Sequence, residues 1–209
     1  MTFNSAQIRP SVYCHRGLWR TFPQQNSVES FDLASENGFS IETDIRFFEG
    51  SAVICHDLPT ELGLSKLDQL SVYSSSFALN VKEDGLQNFF VRVRPWMEAT
   101  NSFVFDGSIP EMFRYRELGI NHALRISEYE KSLSWQSGYI WLDSFHDDWW
   151  LKDQSILKTL EGSQIIVVSP ELHGRDPRFV WDFLSIERPM GRLDFSICTD
   201  RPLEYLSWK

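Results

Sequence analysis

Short apolar runs alternate with amphipathic stretches along the whole chain. Residues 11–14 (Ser-Val-Tyr-Cys) predict a first strand ending at His15. Val28, Phe31, Leu33 and Ala34 fall on a helical period after Asn26, read as an N-cap with Glu29 three residues on, and Gly38 suits the helix end. A helix over 27–37 follows. Ile41 to Phe47 predicts a second strand. Ile41, Thr43 and Ile45 share one side, Glu42 and Asp44 the other. Glu49-Gly50 signals a turn, and Ala52 to Cys55 returns as a short hairpin strand before His56.

The pattern repeats downstream. Gly63 to Leu70 predicts a short helix, and Phe77 to Val81 a third main strand with Asn80 and Lys82 on one face. Leu86, Phe89, Phe90 and Val93 predict a helix stopped by Pro95. Phe103 to Phe105 is a fourth strand, ending in Asp106. Ser108, Pro110 and Glu111 open a capped helix. Further strands are expected at Ala123 to Ile126, Tyr139 to Leu142 (before Asp143), Ile165 to Val168 (before Glu171) and Phe195 to Cys198. Helices are expected at 147–160, 176–184 and after Pro202.

Eight strands alternating with helices predict an α/β fold with a parallel sheet. Eight units suggest a small (β/α)8 TIM barrel with a short β-hairpin after strand two. An open doubly wound sheet is the alternative, and both folds place a site at the C-terminal strand ends. With no linker or repeat in the sequence, residues 1–209 read as one domain.

Composition narrows the function. Apolar content of 42% supports a sizeable core. A net charge of −9 argues against nucleic acid as a partner. No apolar run reaches transmembrane length, and Met1-Thr2-Phe3-Asn4-Ser5 lacks the pattern of a signal peptide. Three cysteines without a CxxC pair argue against a disulfide framework, so a cytoplasmic location is expected. Oligomeric state is not legible.

The chemistry concentrates between Cys14 and Asp57. Glu42 and Asp44 point into one space, where two like charges need a cation or a shared proton. Their oxygens suit a divalent ion such as Mg²⁺ or Ca²⁺, against a solvated strand face as the plain reading. His15 and His56 end strands beside them and can divide acid and base work. Arg16 and Lys82 offer cationic donors to a phosphate, against surface or loop roles. A phosphodiester is a small-molecule substrate that fits such a floor. The tryptophans at 135, 141, 149 and 150 read as packing rather than as a substrate wall.

His15-Arg16-Gly17, Asn26-Ser27, Glu42-x-Asp44-x-Arg46 and His56-Asp57, with Thr199-Asp200-Arg201-Pro202 near the end, resemble the glycerophosphodiester phosphodiesterase family. The resemblance implies a (β/α)8 barrel that cleaves glycerophosphodiesters to glycerol phosphate and an alcohol with a divalent metal. It implies His15 and His56 as the acid/base pair, Arg16 on the phosphate, and Glu42 and Asp44 on the metal. The sequence departs at Asn80, where the family has an acid two residues before the strand-three lysine, and at Gln25 in place of a glutamate. Asn80 retains a carbonyl oxygen for a metal. Asp106, Asp143 and Glu171 are strand-end acids available to complete the site, or alternatively helix-capping acids. Two other readings stay open: a phosphodiester-binding protein without turnover, and a related phosphodiesterase that stops at a cyclic phosphate.

Overall fold

A computed structural model describes residues 12–60, 62–133, 135–187 and 194–208. Ser11 and the Met1 to Ser5 stretch lie outside these. The strands are β1 (Val12–Cys14), β2 (Ser40–Phe48), β3 (Ser51–Ile54), β4 (Phe77–Val81), β5 (Phe103–Phe105), β6 (Ala123–Ile126), β7 (Tyr139–Leu142), β8 (Gln164–Val168) and β9 (Asp194–Thr199). The order is β5-β4-β2-β1-β9-β8-β7-β6, every neighbouring pair parallel. The antiparallel β3 hangs on β2 as the expected hairpin. The two ends of this order meet at a seam. There Val104 of β5 bridges to His122, just before β6, in place of a ladder. The result is a nearly closed eight-stranded parallel barrel.

Side-chain alternation sorts the core into two layers. Inside the barrel lie Tyr13, Phe103, Phe105, Trp141, Ile166 and Val168, with small Ala78 and Ala123 between them. Phe105 and Trp141 stack at 3.9 Å, and Phe103 stacks on Tyr139 at 4.6 Å. Such aromatic pairs add about 0.5–1.5 kcal/mol each beyond their burial. Outside, Ile41, Ile45, Leu79 and Val167 pack under the helices. Those helices are α1 (Val28–Glu36), α2 (Gln87–Thr100), α3 (Ile109–Glu117), α4 (Trp149–Lys152), α5 (Ser155–Lys158), α6 (Arg178–Glu187) and α7 (Pro202–Ser207). No helix among the described residues is long and apolar enough to cross a membrane.

Several local expectations are corrected. The N-cap of α1 is Ser27, whose side chain accepts from the Ser30 amide; Asn26 is turned to φ 57° and used elsewhere. Helix α2 continues through Pro95. The proline forfeits the bond to the Val91 carbonyl, but Val91 lies on the exposed side, while Phe90, Val93 and Met97 are buried and hold the turns on either side. The single helix expected over 147–160 is two short ones. The Asp153 carboxylate accepts from the Ser155 amide and hydroxyl, and this side-chain capping restarts the chain. The helix expected over 63–70 is a 3₁₀ segment at Leu67–Val72.

Candidate active site

The parallel register brings the chemistry together. Cys14 pairs with both Ile41 and Thr199, so His15 emerges between the β2 carboxylates and Asp200. His15 Nδ1 and Asp200 Oδ1 are 2.8 Å apart, which leaves Nε2 facing the barrel mouth, 3.9 Å from Glu42. Burial by itself lowers the imidazole pKa. The Asp200 hydrogen bond and the Glu42 charge outweigh it and raise the value above the usual histidine range.

Arg16 follows with φ 56°, and its backbone amide donates to Glu42 Oε2 at 3.1 Å. Gly17 closes the turn at φ 88°, packed so tightly on Ser30 that a Cβ would sit 2.3 Å from the Ser30 hydroxyl. This turn aims the Arg16 guanidinium inward. Nη1 donates to Gln25, and Nε lies 3.1 Å from Asp44 Oδ2 as an ion pair without hydrogen-bond alignment. From the other side, Lys82 Nζ lies 3.0 Å from Asp44 Oδ1. Asn26 completes the clamp: its amide donates to Asp44 Oδ2 at 2.8 Å, and its carbonyl accepts from the Thr43 hydroxyl at 2.8 Å.

Glu42 and Asp44 are each only 1% exposed, and their electrostatics diverge. Burial, with Asp44 alongside, pushes the Glu42 carboxyl up to about 7. Burial acts the same way on Asp44, but Lys82, Asn26 and Arg16 together hold it below the usual carboxylate range. Arg16 and Lys82 thus converge on a carboxylate held in its ionised form, with Glu42 beside it.

Glu42, Asp44 and Asn80 also present an oxygen set. Asp44 and Asn80 are direct register partners on β2 and β4. Asn80 Oδ1 is buried without a hydrogen-bond partner, whereas Asp44 Oδ1 faces the Lys82 ammonium at 3.0 Å. With the Glu42 carboxyl beside them, these oxygens fit a hard divalent cation, although Asn80 contributes no charge. Glu171 is placed differently. Its two oxygens accept from the Ser169 and Thr199 hydroxyls, and no polar contact among the described residues joins it to Glu42 or Asp44. No group of three or more His, Cys, Asp or Glu arranged for a metal occurs among the described residues.

His56 stands apart from the rest of the set. It lies beyond β3 on the hairpin, 43% exposed, with Nδ1 2.8 Å from the carboxylate of Asp57, itself 93% exposed. Its backbone carbonyl accepts from Arg46 Nε, which ties it to the rim beside Asp44. No contact among the described residues joins it to His15. His122 is structural, as its place before a strand implies: it is bonded to the Ile120 carbonyl and to the Trp135 indole.

The far half of the mouth carries a polar arc that the sequence reading named only in part. Asp106, at φ 68°, pairs with Arg125, and Asp143 pairs with His173 at 2.7 Å. Arg125 was missed because it lies inside the apolar run Ala123 to Ile126. Its inward parity, two residues after Ala123, was the available signal. Asp200 stands in the sequence only as part of the Thr199-Asp200-Arg201-Pro202 motif, and the β1–β9 pairing is what sets it beside His15.

No family model matches the chain, and no curated protein sequence matches it. A solved structure does: the glycerophosphodiester phosphodiesterase from Agrobacterium tumefaciens str. C58, at 17% identity and a TM-score of 0.66. The match covers 93% of this chain and 97% of that one. The chain therefore has the fold of a glycerophosphodiester phosphodiesterase.

Proposed function

We propose that this protein is a phosphodiester hydrolase acting on glycerophosphodiesters at the mouth of the barrel. The observation that carries the reading is the convergence of Arg16 and Lys82 on Asp44, within one strand of the His15–Asp200 pair. That arrangement supports an anion-binding floor with a proton-transfer group at its edge. The shared fold with a glycerophosphodiester phosphodiesterase agrees with it.

In this reading Arg16 and Lys82 bind the non-bridging phosphate oxygens. A hydroxyl of the substrate's glycerol attacks phosphorus and gives its proton to His56. The ester bond to the alcohol breaks, and the departing oxygen takes a proton from His15, whose pKa is raised by Asp200 and Glu42. Water then opens the cyclic phosphate with the two roles reversed, yielding glycerol phosphate. Asp200 holds the His15 ring so that Nε2 faces the leaving oxygen. A divalent ion held by Glu42, Asp44 and Asn80 would supply Lewis-acid neutralisation of charge on the phosphoryl oxygens.

The test is alcohol release from a panel of glycerophosphodiesters with and without EDTA, joined to calorimetric titration of Mg²⁺ and Ca²⁺. The reading expects turnover, and a one-site metal isotherm that disappears in Asp44→Ala. Phosphate-ligand binding without turnover, indifferent to metal, would instead support a binding protein; the uncharged Asn80 and the exposed His56 favour that rival. Phosphorus NMR of the product separates full hydrolysis from arrest at the cyclic phosphate.

A further inference from the structure

Onward from Lys82 around the mouth, the ends of β5 to β8 carry the Asp106–Arg125 and Asp143–His173 pairs, with the Phe145 ring between them. Phe145 lies 4.9 Å from the His173 ring, and the Arg125 guanidinium sits 5.7 Å from its centroid. Each pair consumes only part of its hydrogen-bonding capacity. Arg125 reaches Asp106 through Nε and Nη2, both to Oδ1. Asp143 Oδ1 accepts from the Ser144 amide and faces His173 Nε2. Arg125 Nη1, Asp106 Oδ2, Asp143 Oδ2 and His173 Nδ1 have no hydrogen-bond partner among the described residues. They make a row of mixed donors and acceptors along the mouth.

The loop after β6 fixes the aromatic wall in place. The Glu128 carboxylate accepts the backbone amides of Phe145 at 3.1 Å and His146 at 3.0 Å, with that of Asp147 at 3.5 Å. The Tyr129 hydroxyl bonds His146. Beside Asp106 and Arg125, along the barrel seam, opens a cavity of about 380 Å³ that reaches Glu130 and Ser132.

From this arc we infer that the alcohol half of the substrate is a polyhydroxylated group, a sugar or cyclic polyol, seated on Phe145 and read by the free atoms of Asp106, Arg125, Asp143 and His173. Neutral hydroxyls both donate and accept, so they match a row of alternating partners. An alkyl alcohol would leave those atoms unpaired. The inference rests on the proposed phosphate position at Arg16 and Lys82, which directs the other half of a diester across the mouth.

The test compares glycerophosphoinositol with glycerophosphobutanol, which share the glycerophosphoryl half. Binding to His15→Ala protein is measured by calorimetry, and hydrolysis by wild-type protein is followed separately. Inositol diester binding at least about tenfold tighter than butyl diester binding is expected, because a site built for hydroxyls discriminates strongly against their absence. Arg125→Met, Asp143→Asn and the less buried Phe145→Ala should each shrink that ratio toward one. Equal binding of the two diesters overturns the polyol subsite, even where both are hydrolysed and the hydrolase reading survives. Tight, selective binding without hydrolysis upholds the subsite and removes the hydrolase reading. No binding of either diester removes both.

Discussion

Lys82 Nζ lies 3.0 Å from Asp44 Oδ1, while the second oxygen of the same carboxylate faces Arg16 and Asn26. One aspartate thus holds two cations that would otherwise repel, and it does so in a place that is nearly dry. Replacing it removes the carboxylate that both cations contact directly. Breaking a buried charge pair by removing one partner costs about 3–5 kcal/mol. Asp44→Asn should therefore lower unfolding free energy by about 3 kcal/mol in urea titration. A loss under about 1 kcal/mol would mean that the cations are solvated and do not depend on Asp44.

Gly17 makes the turn that aims Arg16. At φ 88° an L side chain is strained, and a Cβ would lie 2.3 Å from Ser30 Oγ and 2.7 Å from Ser30 Cβ. Gly17→Ala should cost more than about 2 kcal/mol. Gly38→Ala, at φ 74° with nothing within 4 Å, is the comparison and should cost about 1 kcal/mol. Equal thermal shifts for the two variants would contradict the close approach of Gly17 to α1.

Glu128 fastens the loop that carries Phe145. Its partial burial acts to raise its pKa, but the loop amides outweigh this and hold it below the usual glutamate value of 4.5. A depressed folded-state pKa means that its contribution is fully present above pH 4.5 and is lost as pH falls through the folded value. Glu128→Gln should then be less stable than wild type at neutral pH, the gap narrowing below pH 4.5. Hydrogen exchange at the Phe145 and His146 amides should quicken in the same variant. A pH-independent gap with unchanged exchange would show that the carboxylate does not order this loop.

Asp200 sets the protonation of His15. In Asp200→Asn the burial of the ring loses its main counterweight, so the His15 titration followed by proton NMR should move to lower pH. For a histidine whose folded pKa is raised, the associated stability is full below the unfolded value of 6.5 and fades as pH rises through the folded value. The variant should lose that dependence. An unmoved titration would place Asp200 outside the site.

Much of this site was legible because strand alternation is a strict rule. Glu42 and Asp44 had to share a side opposite Ile41 and Ile45, and Asn80 and Lys82 had to share one as well. The count of eight apolar runs suggested the barrel, with an open doubly wound sheet as the alternative. What sequence did not convey depended on tertiary register. Asp200 meets His15 only because β9 lies beside β1, 185 residues on. Asn26 looked like a helix cap, since asparagine suits that place. Its left-handed backbone and its grip on Asp44 and Thr43 could be seen only once β2 was beside the turn. Glu171 looked like a free strand-end acid because nothing in sequence announces that Thr199 and Ser169 would supply both of its partners. Helix α2 outlasted Pro95 because buried residues on both sides of the proline decided the matter.

The central claim is proton transfer by His15 during phosphodiester cleavage beside Arg16 and Lys82. It is tested most directly by phosphorus NMR of a glycerophosphodiester incubated with wild-type protein or His15→Gln. Wild type should convert the diester signal to glycerol phosphate, and His15→Gln should be slower by about 10²–10⁴-fold, the usual contribution of a general acid or base. Conversion at equal rates by the two proteins would contradict the account.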